Sequence, residues 1–228
     1  MATMAVVQSV NVGVLRSLRA KTGVTGIDKV PVHGAVTVSV IGPNCPGRGG
    51  LAGDVICDAE NHGGDTKAVY AYAREDLDQW AAELGAPLRS GMFGENLTTS
   101  GLDVTGALIG ETWRLGESVV LQVTSPRVPC STFAAFMGRK GWLKSFTRRA
   151  VPGAYLKVLA GGELEAGDPL VVEFKPSHNV SVGTAFRALT LEPELCKLVL
   201  EASEYLDEEI VQRARTRDVF VLYDEEEA

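Results

Sequence analysis

Short alternations of apolar and polar positions dominate the first three quarters of the chain. The segments VNVGVLRSL (10–18), AVTVSVIG (35–42), TKAVYAY (66–72), ETWRLG (111–116), SVVLQVTS (118–125) and PLVVEF (169–174) are rich in valine and bounded by turn residues, which predicts strands. Glycine-bearing breaks such as LGES (115–118) and EAGD (165–168) separate them. Many short strands with this punctuation predict a barrel or sandwich rather than a parallel α/β sheet. A different period appears in REDLDQWAAELG (74–85). There Leu77, Trp80, Ala81 and Leu84 share one face, acids open the segment and Gly85 follows its last turn, all signs of a helix. STFAAFMG (131–138) predicts a second, shorter helix.

The pattern changes after KPSHNVSVG (175–183). TAFRAL (184–189) starts a helical tail, PELCKLVLEASEYL (193–206) carries Leu195, Leu198, Val199 and Ala202 at helical spacing, and DEEIVQRARTR (207–217) continues it with Ile210, Val211 and Ala214. Pro193 suits a first helical turn. The expected organisation is a mainly β domain over residues 1–176 and a small helical subdomain over 177–228. The acidic end DEEEA (224–228) reads as a solvated terminus, and Cys196, on the apolar stripe, as packing.

Composition narrows the class. With 228 residues, 45% hydrophobic and 22% charged, the chain can bury a core without staples. No apolar run reaches about 18 residues and the N-terminus lacks a basic start before an apolar block, so neither a membrane span nor a signal peptide is expected. The four cysteines (45, 57, 130, 196) form no C-x-x-C pair and no zinc spacing, and a reduced, cytoplasmic protein is the expectation.

Charge is distributed unevenly. The net charge of −7 argues against nucleic acid as a partner. From Ser118 to Gly162 there is no acid, while Arg127, Arg139, Lys140, Lys144, Arg148, Arg149 and Lys157 give +7. From Thr190 onward twelve acids face four bases, a net of −8. A basic island in an acidic chain suits an anionic small ligand. A solvated surface, or a contact between the two charged regions, explains the pattern nearly as well.

Three loops could hold chemistry. In AENHGGDTKAVYAY (59–72), His62 precedes Gly63 and Gly64 and could offer an anion a hydrogen bond or a positive charge; a turn histidine capping its own loop is the plainer reading. GMFGENLTTSGLD (91–103) places Glu95 and Asn96 among small polar residues able to meet a phosphate or a heterocycle edge, or to satisfy a closing loop. GPNCPGRGGLAGDVICD (42–58) has the glycines of a phosphate cradle without a nucleotide-binding fingerprint, and its Cys45 and Cys57 read as bystanders. Cys130, in SPRVPC (125–130), lies beyond a strand, three residues after Arg127 and at the start of the acid-free segment. Nearby positive charge favours a thiolate, the ligating and nucleophilic form. From the residues alone, metal or cofactor ligation and inert structural use stand level. Nucleophilic catalysis comes behind, since His33 and His178 look peripheral and His62 is left as its base.

Together, GLAGD (50–54), HGGDTKAVYAYAREDLDQW (62–80), FGENLTTSGL (93–102), IGETWRLG (109–116), SPRVPC (125–130), GW (141–142) and PGAYLKVLAGGELEAGD (152–168) resemble MOSC-domain proteins. This is the family named for the molybdenum cofactor sulfurase C-terminal domain, and the resemblance is closest to its YiiM-like branch. HNVSVGTAFRAL (178–189) and the helices after it are similar to the three-helix unit that closes YiiM-type chains.

The resemblance implies a MOSC-type β-barrel that binds a pterin-based molybdenum cofactor, with Cys130 as the metal's protein ligand, a soft donor for a metal already held by sulfur. It implies cofactor-pocket roles for His62, Gly63, Glu95, Asn96, Thr98 and Arg127, while Trp142 is a candidate pocket wall with a core role weighed equally. It further implies a reductase of N-hydroxylated compounds such as hydroxylamino-purines, acting by oxygen-atom removal at molybdenum, with His62 or Glu95 as proton donor. A separate electron-donating reductase is the expected partner, because the chain has no iron–sulfur cysteine set and no flavin fingerprint. The alternative is a non-catalytic cofactor carrier or sulfur-handling module. Sulfur transfer in the family accompanies a pyridoxal-phosphate domain, which this sequence lacks. Residues 131–150 and 42–50 depart from the bacterial pattern, which leaves the substrate open, as is the oligomeric state.

Overall fold

The computed structural model describes residues 4–18, 23–43, 45, 47–59 and 62–221. The DEEEA end (224–228) lies outside them. Twelve strands form among the described residues: β1 (Val6–Gly13), β2 (Arg16–Ser17), β3 (Val24–Thr25), β4 (Lys29–Pro31), β5 (Val36–Val38), β6 (Val69–Ala73), β7 (Leu97–Ser100), β8 (Thr112–Leu115), β9 (Val119–Pro126), β10 (Ala154–Ala160), β11 (Gly162–Leu164) and β12 (Leu170–Phe174). Six α-helices accompany them: α1 (Arg74–Leu84), α2 (Ser131–Met137), α3 (Trp142–Arg149), α4 (Val182–Thr190), α5 (Cys196–Val199) and α6 (Glu208–Thr216).

Eight strands make one mixed sheet in the order β12-β8-β9-β10-β6-β7-β1-β4. All neighbours run antiparallel except β6 and β7, which run parallel with α1 crossing between them. Helix α1 forms as its pattern predicts: Leu77 and Trp80 are buried, and Gly85 closes it in the left-handed region at φ 65°. Two polar N-caps secure the tail, Ser181 accepting from the Thr184 N–H and Asp207 from the Ile210 N–H.

The expected barrel is not what forms, because the sheet does not close on itself. The outer edge of β1 is divided. Its last residues pair with β4, while near its start Val7 and Ala5 exchange backbone hydrogen bonds with Gly167, Asp168 and Leu170. That corner comprises three bonds and one bridge between Val6 and Pro169. β12 then follows β8 instead of continuing along β1, so a curled, open, mixed sheet results.

Two buried clusters hold the layers. One is aliphatic and continuous from the sheet (Val7, Leu97, Leu121, Leu156) into the helical tail (Val182, Ala185, Val199, Ala214). The other is aromatic and packs α1, α2 and α3 on β6 and β10. In it Phe93 meets Phe133 at 5.2 Å and Trp142 at 5.6 Å, and Trp80 meets Trp142 at 5.0 Å between ring centroids. This cluster is the floor under the β9–α2 connection. Trp142→Ala, which removes a ring touching four other aromatics, should lower stability by about 3–5 kcal/mol. The check is a lower denaturant midpoint at unchanged slope; an unshifted midpoint would mean the cluster does not hold the helices.

Candidate functional site

Strand β9 ends at Pro126 and the chain stays extended through Arg127, Val128 and Pro129. Pro129 disfavours helical backbone at the residue before it, so α2 begins only after Cys130, which is itself extended (φ −125°, ψ 168°). The half-buried thiol is thereby held at the edge of a recess. The other walls come from residues 24–29, the loop 54–58, the turn 62–68, and β6 and β10. The recess contains about 690 Å³ of empty space out to open solvent. Gly26 makes one wall possible: a Cβ there would meet the Val55 carbonyl oxygen at 2.0 Å.

Arg127 is 3% exposed. Its guanidinium lies 4.2 Å from the Phe133 ring centroid and 5.1 Å from that of Tyr70, and Nη1 donates to the Phe93 carbonyl. Its Nε–H has no partner, and no carboxylate bridges to it among the described residues. Opposite it, His62 Nδ1 and the Tyr155 hydroxyl lie 2.9 Å apart. Burial, with help from the Arg127 charge, pushes the His62 pKa down to about 4, so near neutral pH this ring offers an anion hydrogen bonding and no charge. The cationic reading of His62 is therefore corrected. Burial raises the Tyr155 phenol to about 12 despite the Arg127 charge, and raises Tyr70 as well, whose hydroxyl donates to the Pro152 carbonyl at 2.7 Å.

A polar frame backs the recess. Asp54 accepts from the Gly13 N–H at 2.7 Å, from Asn96 Nδ2 at 2.9 Å and from Lys29 Nζ in a buried ion pair. Burial lowers the Lys29 pKa, and Asp54 pulls it back up. Asn96 also accepts from the Tyr70 N–H and donates to the Asn11 carbonyl, so both ends of its amide are engaged within the fold.

Cys130, Arg127, His62, Gly63 and Asn96 thus come together on one recess. Glu95, Thr98 and Trp142 do not line it. Glu95 is fully buried and accepts from the Gly91 N–H (2.6 Å), the Phe93 N–H (3.0 Å) and the Thr98 hydroxyl (2.9 Å), and burial raises its pKa. Thr98 links it to Asn11, and Trp142 belongs to the aromatic floor. Of the seven cations in the acid-free segment Arg127 alone lines the recess. Among the described residues Arg149 pairs with Glu83 and Lys157 with Asp65. Cys57, read as a bystander, is on the wall. Tyr155, Tyr70, Lys29 and Asp54 were missed, because nothing local in their segments sets them apart from sheet and turn residues. Cys196 packs as expected, its thiol donating to the Ala188 carbonyl.

The MOSC domain profile matches residues 58–171, which hold the thiol, the histidine and the buried arginine. The chain belongs to the MOSC domain family. This MOSC protein is 36% identical over 183 residues to the uncharacterized protein YflK of Bacillus subtilis (strain 168), covering 79% of each. It is 31% identical over 161 residues to YiiM of Escherichia coli (strain K12), covering 64% of this chain and 62% of YiiM. A protein of Gibberella moniliformis named Reductase is 28% identical over 201 residues; the match takes in 84% of this chain and 35% of that longer protein. The crystal structure of YiiM from Geobacillus stearothermophilus superposes with a TM-score of 0.74 at 25% identity, covering 93% of this chain and 98% of that one. The protein is YiiM-like. Among the described residues no helix is long and apolar enough to cross a membrane.

The depressed His62 pKa has a consequence for stability. A group depressed on folding contributes fully above its unfolded value, near 6.5, and loses that contribution as pH falls through about 4. The difference amounts to about 3 kcal/mol. Denaturant unfolding at neutral pH and near pH 4 should show the native protein losing more stability than His62→Gln by roughly that amount; equal losses would place the histidine in water.

Proposed function

We propose that this MOSC protein binds a pterin-type molybdenum cofactor in the recess and reduces N-hydroxylated compounds, removing oxygen from an N–OH group. The observation that carries the reading is a thiol and a buried guanidinium, without a carboxylate partner among the described residues, sharing one recess.

The donor set suits such a group. Among the described residues no cluster of three or more His, Cys, Asp or Glu side chains could hold a bare ion, whereas a metal that arrives with its own sulfur ligands asks the protein for one soft donor. Cys130 is that donor. Arg127, with an unpaired N–H and no carboxylate partner among the described residues, suits an anionic part of the cofactor. The cofactor supplies two-electron chemistry at the metal. The chain's part would be to hold the group beside the wall carrying His62 and Tyr155, and to exclude bulk water with Val24, Ile27, Val55 and Ile56. The names YiiM and Reductase among the relatives support this reading. Electrons would come from a separate reductase.

Metal analysis of protein made in a cofactor-competent host tests the proposal. The native protein should retain molybdenum and, with a reduced dye, convert a hydroxylamino-purine to the amine. Cys130→Ala should lose at least tenfold in metal content with its unfolding midpoint unchanged. Full retention by that variant excludes Cys130 as ligand, and retention by the native protein without turnover makes it a carrier.

A further inference from the structure

Tyr155 stands at the centre of the recess wall. It sits on β10, flanked by β9 and β6, opposite Ser125 on one side and Tyr70 on the other, its ring 5.2 Å from that of Tyr70. Its backbone is therefore fixed on both sides, and it is 9% exposed, facing the recess that Cys130 also lines. We infer that Tyr155 is the group that protonates the oxygen lost from the substrate, and that His62 restores its proton through Nδ1–H. This rests on the N-hydroxy reductase reading above.

Geometry selects the pair. For the Tyr155 O–H to point into the recess, its oxygen must accept the 2.9 Å hydrogen bond from His62, which places the imidazole proton on Nδ1. Nε2 is then the unprotonated nitrogen, and a proton taken up there as Nδ1–H passes to Tyr155 leaves the ring neutral, as its lowered pKa requires. Two buried acids are occupied: Glu95 is off the wall with both carboxylate oxygens bonded, and both oxygens of Asp54 are engaged by Gly13, Lys29 and Asn96, while Asp58 and Lys67 share the wall as further ionisable groups. Arg127 does not release a proton at any working pH, but its charge lies close enough to Tyr155 to favour the phenolate left behind.

The step balances as R–NHOH + 2 e⁻ + 2 H⁺ giving R–NH2 + H2O. Breaking the N–O bond takes two electrons from a reduced external carrier, which is the chemistry the cofactor would supply when bound. The first proton passes from Tyr155 to the departing hydroxyl, which leaves as water; the second, taken from solvent through the reset pair, goes to nitrogen. General acids of this kind contribute about 10²–10⁴-fold.

Two measurements decide it. Nitrogen-15 NMR of histidine-labelled protein, with no cofactor or substrate, should show His62 as the Nδ1–H tautomer, and Tyr155→Phe should abolish that preference. A His62 found as Nε2–H in the native protein overturns the relay. In the holoprotein, Tyr155→Phe keeps the ring and should leave molybdenum content and KM within a few-fold while kcat with a hydroxylamino-purine and reduced dye falls about 10²-fold or more. A variant turning over within threefold of the native protein overturns Tyr155 as the donor. Native holoprotein that reduces no substrate instead sinks the reductase reading, a distinct result, since the tautomer is read without turnover.

Discussion

A guanidinium buried between two aromatic rings, with one N–H unpaired and no carboxylate beside it, is costly to maintain in a protein interior. Among the described residues Arg127 is in this position, between Phe133 and Tyr70. The rings and the Phe93 carbonyl offset part of the desolvation cost, cation–π contacts contributing about 0.5–2 kcal/mol each. The remainder is a standing attraction for negative charge, and the nearby wall that can supply it or receive it is the one bearing Cys130. Much of the molecule's design follows from keeping that cation where it is: the aromatic floor from α1, α2 and α3, and the extended connection through Pro129 that separates the end of β9 from α2.

Polar groups around the recess divide into two kinds. Asp54, Asn96, Glu95 and Thr98 have their bonding capacity taken up by backbone and neighbouring side chains, and so act as frame, tying β1, β6 and β7 to the loops that form the walls. Cys130 and the His62–Tyr155 pair line the recess, as does Arg127, whose buried Nε–H is left without a partner. A buried group bonded on every side is a poor partner for a ligand, because a new contact must first break an old one. This division, more than residue type, separates the chemistry from its support.

Parts of the fold were legible in advance because they depend on neighbours in sequence. The strands at 69–73, 112–115, 119–126 and 170–174 and helix α1 follow from periods of two and 3.6 that are local by nature. β7 was read as a loop, since LTTS is polar; it is a buried strand in which Thr98 meets Asn11 across the sheet and Glu95 three residues back. Helix α3 was passed over too, and its basic outer face hides that Trp142 and Phe146 complete the aromatic floor. The barrel was expected from strand count, but closure depends on how a single strand's edge is shared, and β1 divides its edge between β4 and the corner at 167–170.

By itself the sequence determined the family, through motifs in a set order, and with them Cys130 and Arg127 as the residues to watch. Tertiary structure alone decided which polar residues have capacity left, that His62 is neutral, that Glu95 is frame, and that Tyr155, 93 positions from His62 in the chain, is its hydrogen-bond partner. The reason is physical: burial and bonding partners are set by contacts between segments remote in sequence, and protonation follows from both.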